Sequence, residues 1–141
     1  MSFLSDTTFQ QQFIDALNAN EKFATQAQVF DGSILLQADD DQLWLKIYKG
    51  RVIDHQSAPP AFGYTYKLSG PEHCWQMLIS GERRWADLTF PGKRYFADDP
   101  DLKRLGELSV DIATEGNLLE AARLTEANFE LAYTLKDVAS R

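Results

Sequence analysis

Residues 43–56 read LWLKIYKGRVIDHQ, and this stretch decides the fold class of the chain. Over residues 43–48, Leu and Ile alternate with Trp, Lys and Tyr, which is the two-residue period of a β-strand. Lys49-Gly50 predicts a turn, and residues 51–56 predict the returning strand of a hairpin. The hairpin indicates that the chain builds an antiparallel sheet.

Strand-like segments also flank this hairpin on both sides. Residues 33–38 form a short apolar run that ends at Asp39-Asp40-Asp41, which predicts a solvated turn. After a loop with two prolines, residues 62–68 alternate aromatic or apolar residues with Gly, Thr and Lys. Together these segments predict an antiparallel meander of four strands. Residues 93–97, which follow a Pro-Gly turn, predict a last strand.

Amphipathic patterns predict helices before and after the meander. Residues 8–11 (TFQQ) fit a capping box, and apolar residues at spacings of four place one stripe on a helix that runs to about Asn20. Pro71 fits the start of a later helix, for which Gly81 is a natural stop. Residues 82–88 predict a further short helix.

The last third of the chain contains two more helical patterns. Apolar residues from Leu102 to Ile112 recur at three- and four-residue spacings, which predicts a helix that ends at Gly116. Residues 117–120 (NLLE) fit another capping box. The segment after it fits a helical period, but residues 129–135 also alternate like a strand. The cap and the Ala- and Glu-rich composition favour a helix.

The composition predicts one globular domain over residues 1–141, with residues 117–141 as a C-terminal helical extension. The chain has 14 Lys and Arg against 21 Asp and Glu, and the net charge of −7 argues against a nucleic-acid partner. No targeting segment is apparent, nor any apolar run of the ~20 residues that a membrane helix needs. Cys74 is the single cysteine, which excludes an internal disulfide. We therefore expect a cytoplasmic protein without integral membrane association.

The residues that could carry catalysis or bind a metal do not form a recognisable site. His73 and Cys74 are neighbours on a predicted helix, where adjacent side chains diverge by about 100° and seldom face each other. One Cys and two His give no zinc-ligand spacing. Residues 39–41 lack the Gly and Glu of a calcium-binding loop. An enzyme is thus the least supported interpretation, and neither a cofactor nor a metal is expected.

Aromatic side chains are the most informative set, since the chain has 3 Trp, 5 Tyr and 9 Phe. They concentrate in residues 62–66 and in the following helices, at Trp75 and Trp85. One interpretation is a sheet face packed under helices. The other is an apolar cavity for a lipid-like ligand, which the surplus of amphipathic helices after residue 68 favours. Arg83 and Arg84 could hold a carboxylate or phosphate head group at the mouth of such a cavity.

Five segments resemble one family of lipid-binding domains. Residues 32–36 (GSILL) and 43–52 resemble its early hairpin, and residues 62–70 (FGYTYKLSG) are similar to its fourth strand. Residues 75–82 (WQMLISGE) resemble the helix in which a bulky residue and Leu precede a Gly. Residues 92–96 (GKRYF) correspond to its short basic strand. From about residue 9 to 108, the chain resembles the sterol carrier protein type of lipid-binding domain.

This resemblance implies an α+β fold, in which a five-stranded, mostly antiparallel sheet carries helices on one face around a hydrophobic cavity, with C-terminal helices added. It also implies non-enzymatic binding or transfer of a fatty acyl chain, a sterol or another lipid, without a cofactor. The residues expected to contact the ligand are Phe62, Tyr64, Trp75, Leu78, Ile79, Trp85, Leu88, Phe90, Leu102, Leu105 and Ile112. Arg83 and Arg84 are expected at its head group.

An interaction or oligomerisation module with a filled core and no ligand is the alternative function. The same fold would then serve as a docking domain. Leu124, Leu131 and Val138 lie seven residues apart, a spacing typical of helices that pair with another helix. This spacing leaves open a homodimer through the C-terminal helix.

Overall fold

The structure is a computed structural model that describes residues 3–89 and 111–141. Its strands are β1 (Asp31–Ala38), β2 (Asp41–Tyr48), β3 (Arg51–Gln56), β4 (Tyr66–Gly70) and β5 (Ala113–Gly116). Its α-helices are α1 (Thr7–Asn18), α2 (Glu21–Gln26), α3 (Glu72–Ser80), α4 (Trp85–Thr89), α5 (Leu118–Arg123) and α6 (Thr125–Ala139). The chain is α+β, as the sequence predicted.

The five strands form one mixed sheet in the order β3-β2-β1-β4-β5. The predicted hairpin is present, because β1 pairs antiparallel with β2 and β2 with β3. Lys49 and Gly50 form its turn at φ of 52° and 77°, and such positive angles match the twist of a two-residue hairpin. The β2–β3 register shifts beside Ile47, where a bulge interrupts the pairing.

The prediction of a four-stranded antiparallel meander is wrong at its last strand. β4 lies parallel to β1, with Ile34 opposite Tyr66 and Ala38 opposite Gly70. The physical reason is that residues 57–65 cross the sheet instead of making a tight turn beside β3. β4 also begins at Tyr66, so Phe62 and Tyr64 precede the strand to which the sequence pattern assigned them.

The helix predicted from Leu102 to Gly116 is wrong at its end, because Ala113–Gly116 is the edge strand β5. Its residues 102–110 lie outside the described residues. β5 pairs antiparallel with β4, and Lys67 Nζ lies 3.0 Å from Glu115 Oε2 across the pair. Gly116 has φ 103°, and a Cβ there would lie 2.8 Å from the Thr65 carbonyl oxygen. The close approach of β4 therefore requires glycine at this point. The strand predicted at residues 93–97 lies outside the described residues.

The helix that precedes the sheet begins earlier than the sequence predicted. Asp6 Oδ1 accepts hydrogen bonds from the backbone N–H groups of Thr8 (2.9 Å) and Phe9 (3.2 Å). Asp6 is therefore the N-cap of α1, rather than Thr8. The predicted apolar stripe is buried and consists of Phe9, Phe13, Ile14 and Leu17. Helix α2, which the sequence pattern did not predict, has Asn20 as its N-cap, whose Oδ1 accepts from Phe23 N at 3.0 Å.

The C-terminal residues are helical, which settles the ambiguity between helix and strand. Asn117 caps α5 as predicted, with its Oδ1 accepting from Glu120 N at 3.1 Å. Helix α6 packs against α1, α2 and α3. Leu124, Leu131 and Val138 are all buried within the chain. They are therefore not available for the helix pairing on which the homodimer prediction depended.

The main core lies between one face of the sheet and the helices. Alternate strand residues contribute to it, including Ile34, Leu36, Leu43, Leu45, Ile47 and Leu68. Leu35 and Trp44 are buried too, but they lie outside this cluster, on the opposite face. In the described part of the chain, no helix is both long enough and apolar enough to cross a bilayer.

Candidate ligand-binding site

Two adjoining cavities lie where β4 and β5 meet the helices that follow them. The first, the sheet-side cavity, has a volume of about 220 Å³. Its walls come from β4, α4, β5, α5 and α6, and the residues are Leu68, Trp85, Thr89, Thr114, Leu118, Ala121, Ala122, Thr125, Asn128 and Phe129. The sheet-side cavity thus combines apolar walls with a few hydroxyl groups and one amide.

The second cavity, the basic cavity, has a volume of about 190 Å³. It lies between α3, α4 and α6, and its residues are Leu78, Arg83, Arg84, Trp85, Ala86, Phe129, Tyr133 and Lys136. Three of these side chains are cationic. An apolar floor beside clustered cations suits an amphiphile with an anionic head group.

Trp85 and Phe129 line both cavities and therefore form the wall between them. Trp85 is buried on α4 and packs against Trp75, with ring centroids 5.9 Å apart. Phe129 is half-buried on α6, and its ring centroid lies 6.1 Å from that of Tyr133. The shared wall thus joins a buried side chain of α4 to a more exposed one of α6.

The charges at the basic cavity are only partly compensated. Arg83 Nε is buried and has no hydrogen-bond partner in the described ranges, while its Nη1 donates to the Glu82 carbonyl at 3.3 Å. Arg84 is exposed, and its Nε lies 3.4 Å from Asp87 Oδ2. Lys136 is exposed one turn beyond Tyr133 on α6. The Arg83 guanidinium therefore has a donor for a further acceptor.

A buried hydrogen bond fixes one side of the sheet-side cavity. Tyr66 Oη donates to Asn128 Oδ1 at 2.6 Å, and Asn128 Nδ2 donates to the Ala121 carbonyl at 3.5 Å. Burial raises the pKa of the Tyr66 hydroxyl far above its ordinary value, so the group stays neutral and remains a donor. The bond ties α6 to β4 and keeps the Asn128 amide satisfied at the cavity wall.

The structure brings four of the predicted site residues together. Leu78, Trp85, Arg83 and Arg84 line the basic cavity, on two helices that are consecutive in the chain and the turn between them. Ile79 is half-buried and packs against the core.

Trp75, Leu88 and Ile112 are buried in the core and line neither cavity. Trp75 Nε1 donates to the Gln37 carbonyl at 2.9 Å. Leu88 offers its carbonyl to the backbone N–H groups of Asp111 and Ile112, at 3.0 and 2.9 Å. These residues support the cavity walls from behind.

Two other predicted residues lie away from the cavities. Phe62 is 81% exposed and packs edge-on against Trp44, with centroids 6.1 Å apart, on the opposite face of the sheet. Tyr64 is half-buried beside Lys67, whose Nζ lies 6.0 Å from the tyrosine ring centroid. Phe90, Leu102 and Leu105 lie outside the described residues.

The wall that α6 supplies was not predicted from the sequence. Phe129, Tyr133 and Lys136 follow one another at spacings of four and three, so they occupy one face of α6. That spacing was the available signal. The Leu124, Leu131 and Val138 stripe on the same segment has the more apolar pattern and therefore masks this signal.

The described residues offer no metal centre, since they contain no group of three or more His, Cys, Asp or Glu side chains that could hold an ion. His73 is exposed whereas Cys74 is buried. Asp39 lies in the exposed turn between β1 and β2, as predicted, and its Oδ1 accepts from Glu72 N at 3.2 Å.

The fold is similar to those of solved sterol carrier protein structures. A crystal structure of sterol carrier protein 2 superimposes with a TM-score of 0.64 at 14% identity, over 92% of this chain and 95% of that one. A conserved hypothetical protein of Thermus thermophilus, described as possibly a sterol carrier protein, gives 0.66 at 17% identity, over 100% and 94%. Sterol carrier protein 2 from Yarrowia lipolytica, in its apo form, gives 0.50 at 15%, over 96% and 98%.

No family model matches the chain, and no curated protein matches its sequence. At identities of 14–17%, the structural likeness shows that the chain has the sterol carrier protein 2 fold.

Proposed function

We propose that this protein binds or transfers a hydrophobic ligand, such as a fatty acyl chain, a sterol-like molecule or another lipid, without catalysing a reaction. The observation that carries the proposal is that the sheet-side cavity and the basic cavity lie side by side, with Trp85 and Phe129 as their common wall. Both cavities are lined in part by apolar side chains. The sterol carrier protein 2 fold supports it, because the similar structures bear the name of sterol carriers.

The free energy of binding comes mainly from burial of apolar surface. Transfer of a methylene group from water to an apolar site is worth about 0.8 kcal/mol, so each carbon of a bound acyl chain adds to the binding free energy and offsets part of the cost of ordering. Leu78, Trp85 and Phe129 supply the apolar contacts in this proposal. Trp75, Leu88 and Ile112 hold these walls in place from the core.

The polar end of the ligand lies at Arg83 and Arg84, with Lys136 as a third cation. The buried Nε of Arg83 has no acceptor among the residues that the structure describes, which supports this placement, because a buried donor without an acceptor is costly. A carboxylate or phosphate oxygen would satisfy it with a charge-assisted hydrogen bond. The net charge of −7 on the whole chain makes this cationic group a local exception.

The test combines native mass spectrometry of the purified protein with titration of fluorescent fatty-acid and sterol probes. We expect a co-purified lipid or saturable probe binding that quenches tryptophan emission. Trp85→Ala should weaken acyl-probe binding by about tenfold or more, which corresponds to about 1.4 kcal/mol of lost contact. Trp44→Phe, on the opposite face of the sheet, is the matched control and should leave binding unchanged. Absence of binding of every acyl and sterol probe by the unaltered protein would refute the proposal.

A further inference from the structure

The wall between the two cavities consists of one buried side chain, Trp85, and one half-buried side chain, Phe129. Trp85 is only 4% exposed and packs against Trp75. Trp75 is itself held by the hydrogen bond from its Nε1 to Gln37. Rotation of the Trp85 ring would therefore disturb the close-packed core.

Phe129 has a different environment. It is half-buried at the edge of the core, and its aromatic neighbour Tyr133 is 53% exposed. Its backbone is nevertheless well anchored, because the preceding residue Asn128 accepts a hydrogen bond from Tyr66 at 2.6 Å and its N–H donates to Leu124 O at 2.9 Å. Phe129 can thus change rotamer while α6 stays in place.

We propose that Phe129 is a specificity-determining residue, which sets the length of acyl chain that the site accepts. This inference rests on the proposed function. A ligand with its head group at Arg83 and Arg84 fills the basic cavity first. A longer chain passes from the basic cavity to the sheet-side cavity by displacing the Phe129 ring, because the core holds Trp85 in place.

Affinity should then depend on chain length in two regimes. Each methylene that enters an apolar cavity strengthens binding by about fourfold. In the unaltered protein this gain should stop, or become much smaller, at the chain length that fills the basic cavity. We call this chain length the break. Beyond that length, each ligand must also displace the Phe129 ring.

The experiment measures the affinities of saturated fatty acids of increasing length by competition with a fluorescent fatty acid. Phe129→Ala removes the barrier and should move the break to longer chains by about four carbons or more. The sheet-side cavity of about 220 Å³ has room for them, because a water-sized group takes up ~30 Å³. Phe129→Trp enlarges the barrier and should move the break to shorter chains. Phe62→Ala is the matched control: Phe62 is 81% exposed, packs against Trp44 on the opposite face of the sheet and lines neither cavity, so this variant should not move the break.

The outcomes separate this inference from the function on which it rests. If the unaltered protein binds neither a fatty acid of any length nor a sterol probe, the function proposed above fails. If it binds sterol probes but no fatty acid, the inference about Phe129 alone fails. If it binds fatty acids but neither Phe129 variant moves the break, Phe129 is not the determinant of length. Thermal melting confirms that each variant is folded. Should Phe129→Ala not fold, the shift with Phe129→Trp decides the question, because that variant changes the break in the opposite direction.

Discussion

Two buried tryptophans differ in a single hydrogen bond, and this difference can be measured. Trp75 Nε1 donates to the Gln37 carbonyl, whereas Trp44 Nε1 has no hydrogen-bond partner among the described residues. Both side chains are at most 2% exposed. A buried donor without a partner reduces stability, and a buried acceptor that loses its donor does so too.

The first prediction compares Trp75→Phe with Trp44→Phe. Both changes remove the same atoms from buried positions, but only Trp75→Phe also removes a hydrogen bond and leaves Gln37 O without this donor. We expect Trp75→Phe to lower the free energy of unfolding by about 1–3 kcal/mol more than Trp44→Phe. Urea denaturation followed by circular dichroism measures the difference. Equal losses in the two variants would contradict this expectation.

Tyr66 gives the second prediction, which concerns alkaline pH. Burial raises the pKa of its hydroxyl above the ordinary value of 10.0. The unfolded chain therefore releases this proton at a lower pH than the folded chain, so the free energy of unfolding falls as pH rises above about 10. Tyr66→Phe lacks this proton and should show a shallower decline between about pH 9 and 11. Identical pH slopes for the two proteins would be the contrary result.

At the scale of elements, one side chain of α1 completes the edge of the sheet. Asn18 Nδ2 donates to the Val52 carbonyl at 3.1 Å, and Asn18 Oδ1 accepts from Val52 N at 2.8 Å. The amide thus satisfies both backbone groups of one residue in the edge strand β3. Together with the bulge near Ile47, this contact makes the edge less able to pair with another chain.

The third prediction concerns this contact. Asn18→Ala removes both hydrogen bonds and should lower the free energy of unfolding by about 1–3 kcal/mol. Amide hydrogen exchange at Val52 should accelerate, because its N–H then faces solvent or an empty site. Gln12→Ala, at an exposed position of the same helix, is the control and should have little effect. Unaltered exchange at Val52 would show that Asn18 does not protect it.

The strands and helices that show a hydrophobic period could be predicted from the sequence. The other elements are defined by pairing between distant parts of the chain. The hairpin and the stripes of α1, α3 and α6 each have a repeat that the sequence displays. The parallel pairing of β4 with β1 depends on the path of residues 57–65. The alternation over residues 62–68 predicts a strand but does not show which strand it pairs with. β5 has only four residues, two of them exposed, so its partner β4 and the glycine at its end define it.

At the scale of the whole molecule, α6 is an integral part of the core. Leu131, Leu135 and Val138 are 0–3% exposed and pack in the same cluster as α1 and α2. Asn20, the cap of α2, also donates to Thr134 Oγ1 at 3.0 Å. The helical residues at the end of the chain thus stabilise the helices at its start.

The fourth prediction tests this contribution. Leu131→Ala should lower the free energy of unfolding by about 2–5 kcal/mol, because it leaves a cavity in the core. Leu119→Ala changes the same residue type at a site that is 73% exposed and should change the stability by about 0.5 kcal/mol or less. Chemical denaturation of both variants gives the comparison. A small effect of Leu131→Ala would mean that α6 contributes little to stability.

Part of the candidate site followed from the sequence. Leu78, Trp85, Arg83 and Arg84 lie close together in the chain, so their proximity could be inferred from two neighbouring helices. Phe129 comes from α6, more than forty residues after Trp85. Tertiary packing alone brings these two side chains to the same wall, and no local sequence pattern predicts that they lie together.

The packing of α6 on α1 and α2 also has a consequence for folding during synthesis. On the ribosome, the N-terminal helices and the first hairpin emerge long before residues 131–138. Until then Phe13, Leu17 and Phe23 lack the partners that bury them. We expect the nascent chain to hold an unfinished apolar surface until residues 131–138 have emerged, and to complete its core only then. Chaperones that recognise exposed apolar segments would accordingly bind the N-terminal part of this protein during synthesis.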